Sequence, residues 1–450
     1  MKMISKSQIF QFDNTYVNLP KNFYQKIKPV PVKKPHLLKL NHELSNYFNL
    51  DISSLTSNSG ISILSGNKVP NNATPIAMVY AGHQFGNFVD QLGDGRAVLL
   101  GEIIARNGKR YDLQLKGSGQ TIFSRQGDGR SPLGPVIREY IISEAMHYLG
   151  IPTTRSLSII STGEVVERER IEPGGILVRV SSSHIRIGTF EFFSAKKDFF
   201  SVKKLADYAI KRHFPEVFSS KNQYKLFLDK VIESQAKLVA KWMNVGFIHG
   251  VMNTDNTSIS GQTIDYGPCA FMNNFDPNTV YSFIDIYGRY SYGNQPKIML
   301  WNLSKFAECI SFLINENSKE ANKIILESLS KFPQLFDKFW MKAMSERLGL
   351  FLNIKENRKL IEKILEIMFE QKTDFTLTFR KLSESLESQE KKMKFFSLFK
   401  NEKKIANWYN NWVQRLKREK SSKEKISNKM KTKNPLVIPR NHLVEKAINE

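Results

Sequence analysis

The stretch His249–Pro268, HGVMNTDNTSISGQTIDYGP, concentrates side chains that can do chemistry. Asp255 and Asn256 stand just before a short β-prone run, Thr257–Ile259, and Asp265 stands near the end of a second, Thr263–Tyr266. Ser260-Gly261 between them reads as the tight turn of a hairpin. Carboxylate and amide oxygens at the two ends of a hairpin can converge on one hard cation. Mg²⁺ is commonly held by one or two such side chains plus the oxygens of a bound nucleotide. A surface turn built from Asn and Asp, both frequent turn formers, is the competing reading.

Upstream, the tetrapeptide Gly-Asp-Gly-Arg occurs twice, as Gly93–Arg96 and Gly127–Arg130. The glycines Gly93, Gly95 and Gly129 let backbone approach a phosphate, and Arg96 offers a planar fork to its oxygens. Two ordinary Asp-Gly turns, around Asp94 and Asp128, are the alternative. Between the copies, Asn107-Gly108 marks a hairpin turn leading into Arg110–Lys116. There Tyr111, Leu113 and Leu115 alternate with Asp112, Gln114 and Lys116. Lys116 therefore leaves the polar face of a strand, where a solvated lysine is the commoner case. Glu139, early in a helix expected from about Val136 to Leu149, is spaced to pair with it. The apolar face of that helix reads as Ile137, Ile141, Ala145 and Tyr148. Further on, Arg179 lies opposite the Ile176/Val178/Val180 face of a strand, and Arg186 alternates with Ile185 and Ile187. Arginines on the interior side of a strand are costly unless they meet an anion. The alternation does not say which side is interior.

The elements that must position these residues divide the chain. Residues before about 200 are strand-rich, with a Pro173-Gly174-Gly175 turn and a proline-broken wrapping segment at the start. Beyond about 200 the periodicity is helical. Phe227, Val231, Leu238 and Trp242 share a face leading into the His249 loop, and helices are expected around Leu303–Leu313, Ala321–Leu329, Leu335–Leu348, Lys359–Phe369 and Phe375–Phe399. The expectation is an α+β, bilobal arrangement, 1–200 and 201–414, with a nucleotide in the cleft and a basic linker and tail over 415–450. Spacing within the His249 stretch agrees. His249 to Asn256 and then Asp265-Tyr266-Gly267 reproduces the step from a kinase catalytic loop to its metal-binding Asp-x-Gly. The kinase base falls at Val251, so any base comes from elsewhere.

Composition sets outer bounds. The chain is 450 residues long with 41% hydrophobic and 11% aromatic residues, which suits a globular protein. A net charge of +23 favours anionic partners, although Lys-rich composition alone produces such an excess. Two isolated cysteines, Cys269 and Cys309, indicate neither a disulfide framework nor a zinc site and fit a reducing compartment. No secretory signal is readable and no run approaches the ~20 apolar residues of a membrane helix, so a soluble cytoplasmic protein is expected. The basic run Arg415–Lys433 reads as a solvated linker in preference to a nucleic-acid or lipid contact.

Several segments together resemble the SelO/YdiU protein nucleotidyltransferases. They include FDNTYVNLP, YAGHQFGNFVDQLGDGRAVLLGE, LQLKGSGQTIFSRQGDGRSPLGPVIREY, SSSHIRIGTFEFF, GFIHGVMNTDNTSISGQTIDYGP, GRYSYGNQP and NPLVIPRNHLVEKAI. The resemblance implies a protein-kinase-like fold with a strand-rich first lobe and a mainly helical second lobe. It further implies ATP bound in an inverted orientation, with transfer of AMP to Ser, Thr or Tyr hydroxyls of proteins and release of pyrophosphate. Mg²⁺ is the implied metal, with UTP and Mn²⁺ as the variant of some bacterial relatives. By residue, Gly93, Gly95, Arg96, Lys116, Asp128, Gly129, Arg179, Arg186 and Asp265 match nucleotide-binding positions. Asn256 and Asp265 match metal ligands, Asp255 the proton acceptor, and Glu139 the helix partner of Lys116. Members usually continue past the RNHLVE segment and often end in a cysteine or selenocysteine. This sequence has no cysteine after Cys309, so redox control through such a thiol is not expected. A γ-phosphate-transferring kinase and a nucleotide-binding interaction protein are the alternatives; a nucleic-acid binder ranks below both.

Overall fold

The computed structural model describes residues 9–352 and 356–450. An antiparallel eight-stranded sheet dominates the first part. Its order is Tyr24–Lys26, Ile76–Met78, Ala97–Ile104, Arg110–Lys116, Ile171–Ser181, Arg155–Glu167 and His36–Leu40, with Ser131–Pro132 paired beside Ile171–Ser181. The alternation in Arg110–Lys116 sorts as the sequence predicts. Leu113 and Leu115 join Leu100, Ile160, Val178 and Val180 in a core capped by Leu44, Leu55 and Leu64 from short helices. The opposite, polar face is not open to solvent: Asp112 and Gln114 are buried there. Across it lies the helix Leu133–Tyr148.

The second part is helical. Gln223–Val245, Gln295–Ile314 and Lys331–Arg347 pack together, and Phe190, Phe227 and Phe306 interlock at ring separations of 5.1 and 5.4 Å. The helix Asn441–Asn449 returns to the first part. Asn441 accepts a 2.8 Å hydrogen bond from Arg138, Glu445 pairs with the same guanidinium, and Ile448 seats against Gly134. Among the described residues no helix is long and apolar enough to cross a membrane.

Several local expectations are corrected. Thr257–Ile259 and Thr263–Tyr266 do not pair as a hairpin. Ser258 bridges Arg186 and Thr263 bridges Thr153, so each run is recruited by a distant segment, although the Ser260-Gly261 turn is present. The buried side of Leu133–Tyr148 is Val136, Glu139, Ile142, Ser143 and Met146, whereas Tyr148 is exposed. Counting only apolar residues turned the face, because this helix buries Glu139 and Ser143 against polar partners. Pro173-Gly174-Gly175 lies inside a strand as an irregularity, and the chain reverses at Arg168–Arg170. Arg186 is not in a strand alternation but caps the helix Ile187–Ala195. Phe375–Phe399 is broken into Phe375–Glu384 and Gln389–Phe396. The basic run read as a solvated linker contains the helix Lys423–Lys431, which buries Ile426 and Met430.

Candidate active site

Two neighbouring strands, Arg110–Lys116 and Ile171–Ser181, and one helix bring the first cluster together. Register sets Gln114 opposite Arg179 and Leu177 opposite Lys116, so Lys116 and Arg179 emerge on the same face one step apart. Gln114 Oε1 accepts hydrogen bonds from Arg179 Nε and Nη2 at 3.1 and 2.5 Å, which fixes the guanidinium. Glu139, from the helix above, accepts from Lys116 Nζ at 2.6 Å and from Arg179 Nη1 at 3.2 Å. Asp265 completes the cluster from the second part. Its Oδ1 lies 2.9 Å from Lys116 Nζ and 2.5 Å from Arg179 Nη1, and its Oδ2 meets Arg186 Nη1. Burial alone would push the Asp265 carboxyl up, but Lys116, Arg186 and Arg179 outweigh it and hold it well below the usual carboxylate range. Three cations against two carboxylates leave the cluster one positive charge in excess.

Asp265 reaches this position at φ +61°, a left-handed conformation uncommon for a residue with a side chain and best tolerated by Asn and Asp. The neighbouring chain supports it. His249, buried and kept neutral by that burial, shares a 2.9 Å hydrogen bond with the Ile264 carbonyl, and Tyr266 hydrogen-bonds Thr153. The sequence singles out His249 for its spacing; its place in the fold is to hold the backbone beside Asp265.

Asp255 sits in a one-turn 3₁₀ segment, Thr254–Asn256. Its backbone carbonyl accepts from Arg186 Nη1 at 2.5 Å, which links it to the Asp265 cluster. Its carboxyl is buried; Oδ2 accepts from Gln84 at 3.2 Å, while Oδ1 has no partner among the described residues. Burial pushes this carboxyl up to about 6. Gly82 closes over it, and a Cβ there would fall 2.5 Å from Oδ1. Asn256 donates its amide to the Val251 carbonyl at 3.0 Å, which orients its Oδ1 away from that bond.

The two Gly-Asp-Gly-Arg copies meet at one site. Gly93 (φ +91°) and Gly95 pack so closely on the 123–124 turn that a Cβ at Gly93 would lie 2.4 Å from the Phe123 ring. Gly129 approaches the Gly119 carbonyl in the same way. Asp128 forms a 2.8 Å ion pair with Arg168. All of these residues, with Arg96, Lys116, Glu139, Arg179, Arg186, Asp255, Asn256 and Asp265, line one cleft of about 570 Å³ between the two parts of the chain. That volume lies within the range of small-molecule sites.

Some lining residues escape sequence reasoning. Tyr80 lies 4.7 Å beneath the Arg186 guanidinium as a cation–π support. Gln84 holds Asp255, and Arg125 and Arg168 add positive charge beside Arg130 of the second Gly-Asp-Gly-Arg copy. The Gly82 and Gly86 pair around Gln84 signals close packing, whereas Arg168, in the charged run Glu167–Arg170, carries no local signal.

A metal held by protein alone does not fit: among the described residues no three His, Cys, Asp or Glu side chains cluster around a cation position. Asn256 and Asp265 offer one amide and one carboxylate group in this cleft, the kind of hard oxygen donor through which a divalent cation is commonly shared with phosphate oxygens.

Known proteins match this chain in sequence over nearly its whole length. The family model described as Protein adenylyltransferase SelO matches residues 7–450. Protein nucleotidyltransferase YdiU of Rhizobium meliloti (strain 1021) is 49% identical over 439 residues, covering 98% of this chain and 89% of the relative. The proteins of the same name from Bacillus cereus (strain B4264) and Clostridium perfringens (strain SM101) are 51% and 52% identical, each covering 98% of this chain and 88% of the relative. A match of that length and identity is decisive, and this chain belongs to the SelO protein adenylyltransferase family.

Proposed function

We propose that this protein transfers the nucleoside monophosphate of ATP to a Ser, Thr or Tyr hydroxyl of a protein and releases pyrophosphate. UTP is the alternative donor. The observation that carries this reading is the pairing, in one cleft, of a buried cation cluster with Asp255, a carboxyl that titrates at about 6. The family membership supports the same chemistry. In this reading the strand-rich and helical parts are the two lobes of a protein-kinase-like fold, meeting near residue 200, and ATP lies between them.

Lys116, Arg179 and Arg186 carry positive charge that Glu139 and Asp265 only partly offset. They are preorganised to hold the departing β- and γ-phosphates, where negative charge grows as the α-phosphorus–oxygen bond breaks. Asn256 and Asp265 would hold the divalent cation, whose charge would polarise the phosphoryl oxygens. Asp255 accepts the proton of the attacking hydroxyl, because a carboxyl titrating near 6 is ionised at neutral pH yet basic enough to take it. Val251, at the position where a kinase carries its base, has no group that can do so. The acceptor oxygen bonds to the α-phosphorus, its proton passes to Asp255, and pyrophosphate leaves with the bonding electron pair.

Parallel reactions with α-labelled and γ-labelled ATP and Mg²⁺ test this, with Asp265→Ala as control. The expected result is protein label from the α position only, lost in the variant. Label from the γ position only identifies a kinase and overturns the proposal. No label with ATP still bound identifies an interaction protein. That second reading has an observation in its favour, since Asp265 is held by three cations and a metal must compete with them for its oxygens.

A further inference from the structure

Beside Asp255 a second concavity opens, and its walls are fastened to the same segment. One wall is the ribbon formed by Gly82–Gln84 and Asn87–Val89. Its two-residue turn places Phe85 at φ +51° and Gly86 at φ +88°, and a bulky residue rarely adopts the first of these. Strain of this kind persists only where surrounding contacts impose it. Here Phe85 N donates to both Asn253 Oδ1 and the Tyr290 hydroxyl at 3.1 Å, and its ring packs 5.1 Å from that of Tyr290. His83 N donates to Thr254 Oγ1 at 2.7 Å. The ribbon is therefore clamped to residues 253–255.

The other wall is the loop Phe283–Arg289. Tyr290 anchors it by donating to Asn253 Oδ1 at 2.6 Å. Asp285, buried at the base of the loop, accepts the Arg289 and Tyr290 backbone amides at 2.8 and 2.7 Å. On this pinned frame the tip exposes Phe283 (92%), Ile286 (84%) and Tyr287 (96%), with Ile284 half out. Clustered apolar exposure of this kind marks an interaction surface. The groove between the walls encloses about 550 Å³ and is lined by Phe85, Ile286, Tyr287, Arg289 and Lys297, among others.

Its charge is one-sided. Arg289 lies over Trp301 at 4.7 Å, yet its Nε and Nη2 are buried with no hydrogen-bond partner among the described residues. Asp285, the carboxylate lining the groove, is already occupied by loop amides. A guanidinium left without an acceptor is costly, and a carboxylate entering the groove reaches it through Nη1, the nitrogen not buried against Gly86 and Trp301, with a charge-assisted hydrogen bond.

We propose that this groove holds the acceptor segment of the protein substrate, an extended stretch that sets an acidic side chain on Arg289 and an apolar side chain against Ile286 and Tyr287. The inference rests on the nucleotidyl-transfer reading and adds the substrate class to it. The ribbon carries Gln84, which touches Asp255 directly, so a segment seated in the groove continues towards the proton acceptor.

The test uses the full chain and an oriented peptide library with a central Ser, Thr or Tyr. It is read both by fluorescence anisotropy without nucleotide and by transfer of label from α-labelled ATP. Wild type is expected to prefer peptides carrying Asp or Glu next to an apolar residue at least tenfold over those carrying Lys. Arg289→Gln should lose the acidic preference and keep the apolar one. Tyr287→Asp and Ile286→Asp, at exposed positions that do not risk the fold, should raise KM for the preferred peptide about tenfold while kcat and ATP affinity stay within about threefold. Selective binding without transfer would refute the nucleotidyl-transfer reading and uphold the groove. Binding that ignores acidic and apolar residues, or a selectivity that Arg289→Gln leaves unchanged, would overturn the groove. Sedimentation in which Tyr287→Asp converts a dimer to a monomer without altering peptide preference would instead assign the patch to self-association.

Discussion

Asp255 is poorly solvated: one oxygen meets Gln84, the other has no partner among the described residues, and burial lifts the carboxyl to about 6. As the proposed proton acceptor it works in its base form, so kcat should fall as pH drops below about 6 and level off above about 7. Asp255→Asn should remove that inflexion and lower kcat by about 10²–10⁴-fold, while ATP binding, followed by calorimetry, stays close to wild type. A variant that kept the inflexion would move the base elsewhere. Much of this site was legible residue by residue, because Asp255, Asn256, Asp265 and the two Gly-Asp-Gly-Arg copies are short, dense patterns. The setting of Lys116 was legible in part. The expected pair with Glu139 is present at 2.6 Å, but alternation does not report that the helix and the Asp265 segment together bury the face that Lys116 shares with Asp112 and Gln114. Tyr80 and Arg168 were invisible for a related reason, since each is defined by a partner far along the chain.

Elements are joined across the first part by another buried cluster, separate from the cleft. Arg212, on the helix Phe199–His213, contacts Asp112 at 2.6 Å and Glu102 at 3.1 Å. Glu102 in turn accepts the Thr15 and Tyr16 amides at 2.9 and 2.6 Å, so one guanidinium ties a helix, two strands and the leading segment together. Arg212→Ala removes the cation that two buried carboxylates share, leaving Glu102 with Arg110 at 3.4 Å and Asp112 with His184, and should cost about 3 kcal/mol of stability, read from urea unfolding. Burial would raise the Asp112 carboxyl, yet Arg212 and His184 outweigh it and depress it well below its ordinary value. A depressed carboxyl contributes stability above its unfolded pKa of roughly 3.9 and loses it as pH falls towards the folded value. The deficit of Arg212→Ala should therefore be full at pH 7 and narrow below about pH 4. Element existence was readable wherever periodicity was strong, as in Arg110–Lys116 and Gln223–Val245. The expected hairpin failed because its turn is local but its pairing is not: Arg186 and Thr153 capture the two runs. Arg186 read as strand because two isoleucines flank it, whereas Thr189 completes a helix cap around it.

For the whole molecule, both cysteines are interior. Burial pushes the Cys269 thiol up to about 12 and that of Cys309 higher still. Reaction with a disulfide reagent in native buffer should titrate no thiol, and both should react in guanidinium. Rapid native labelling would show that one of the two core regions opens.

The helix Asn441–Asn449 braces the helix that carries Glu139, through Arg138 and Gly134. Arg138 and its partner Asn441 are 303 positions apart. A ribosome covers that interval in roughly 15–60 s at ordinary elongation rates. Before it ends the sheet, Lys116, Arg179 and Asp265 have left the exit tunnel, while the helix holding Glu139 still lacks its brace. The cleft thus matures on a clock set by translation, and its wall is braced only once the segment Asn441–Asn449 has emerged.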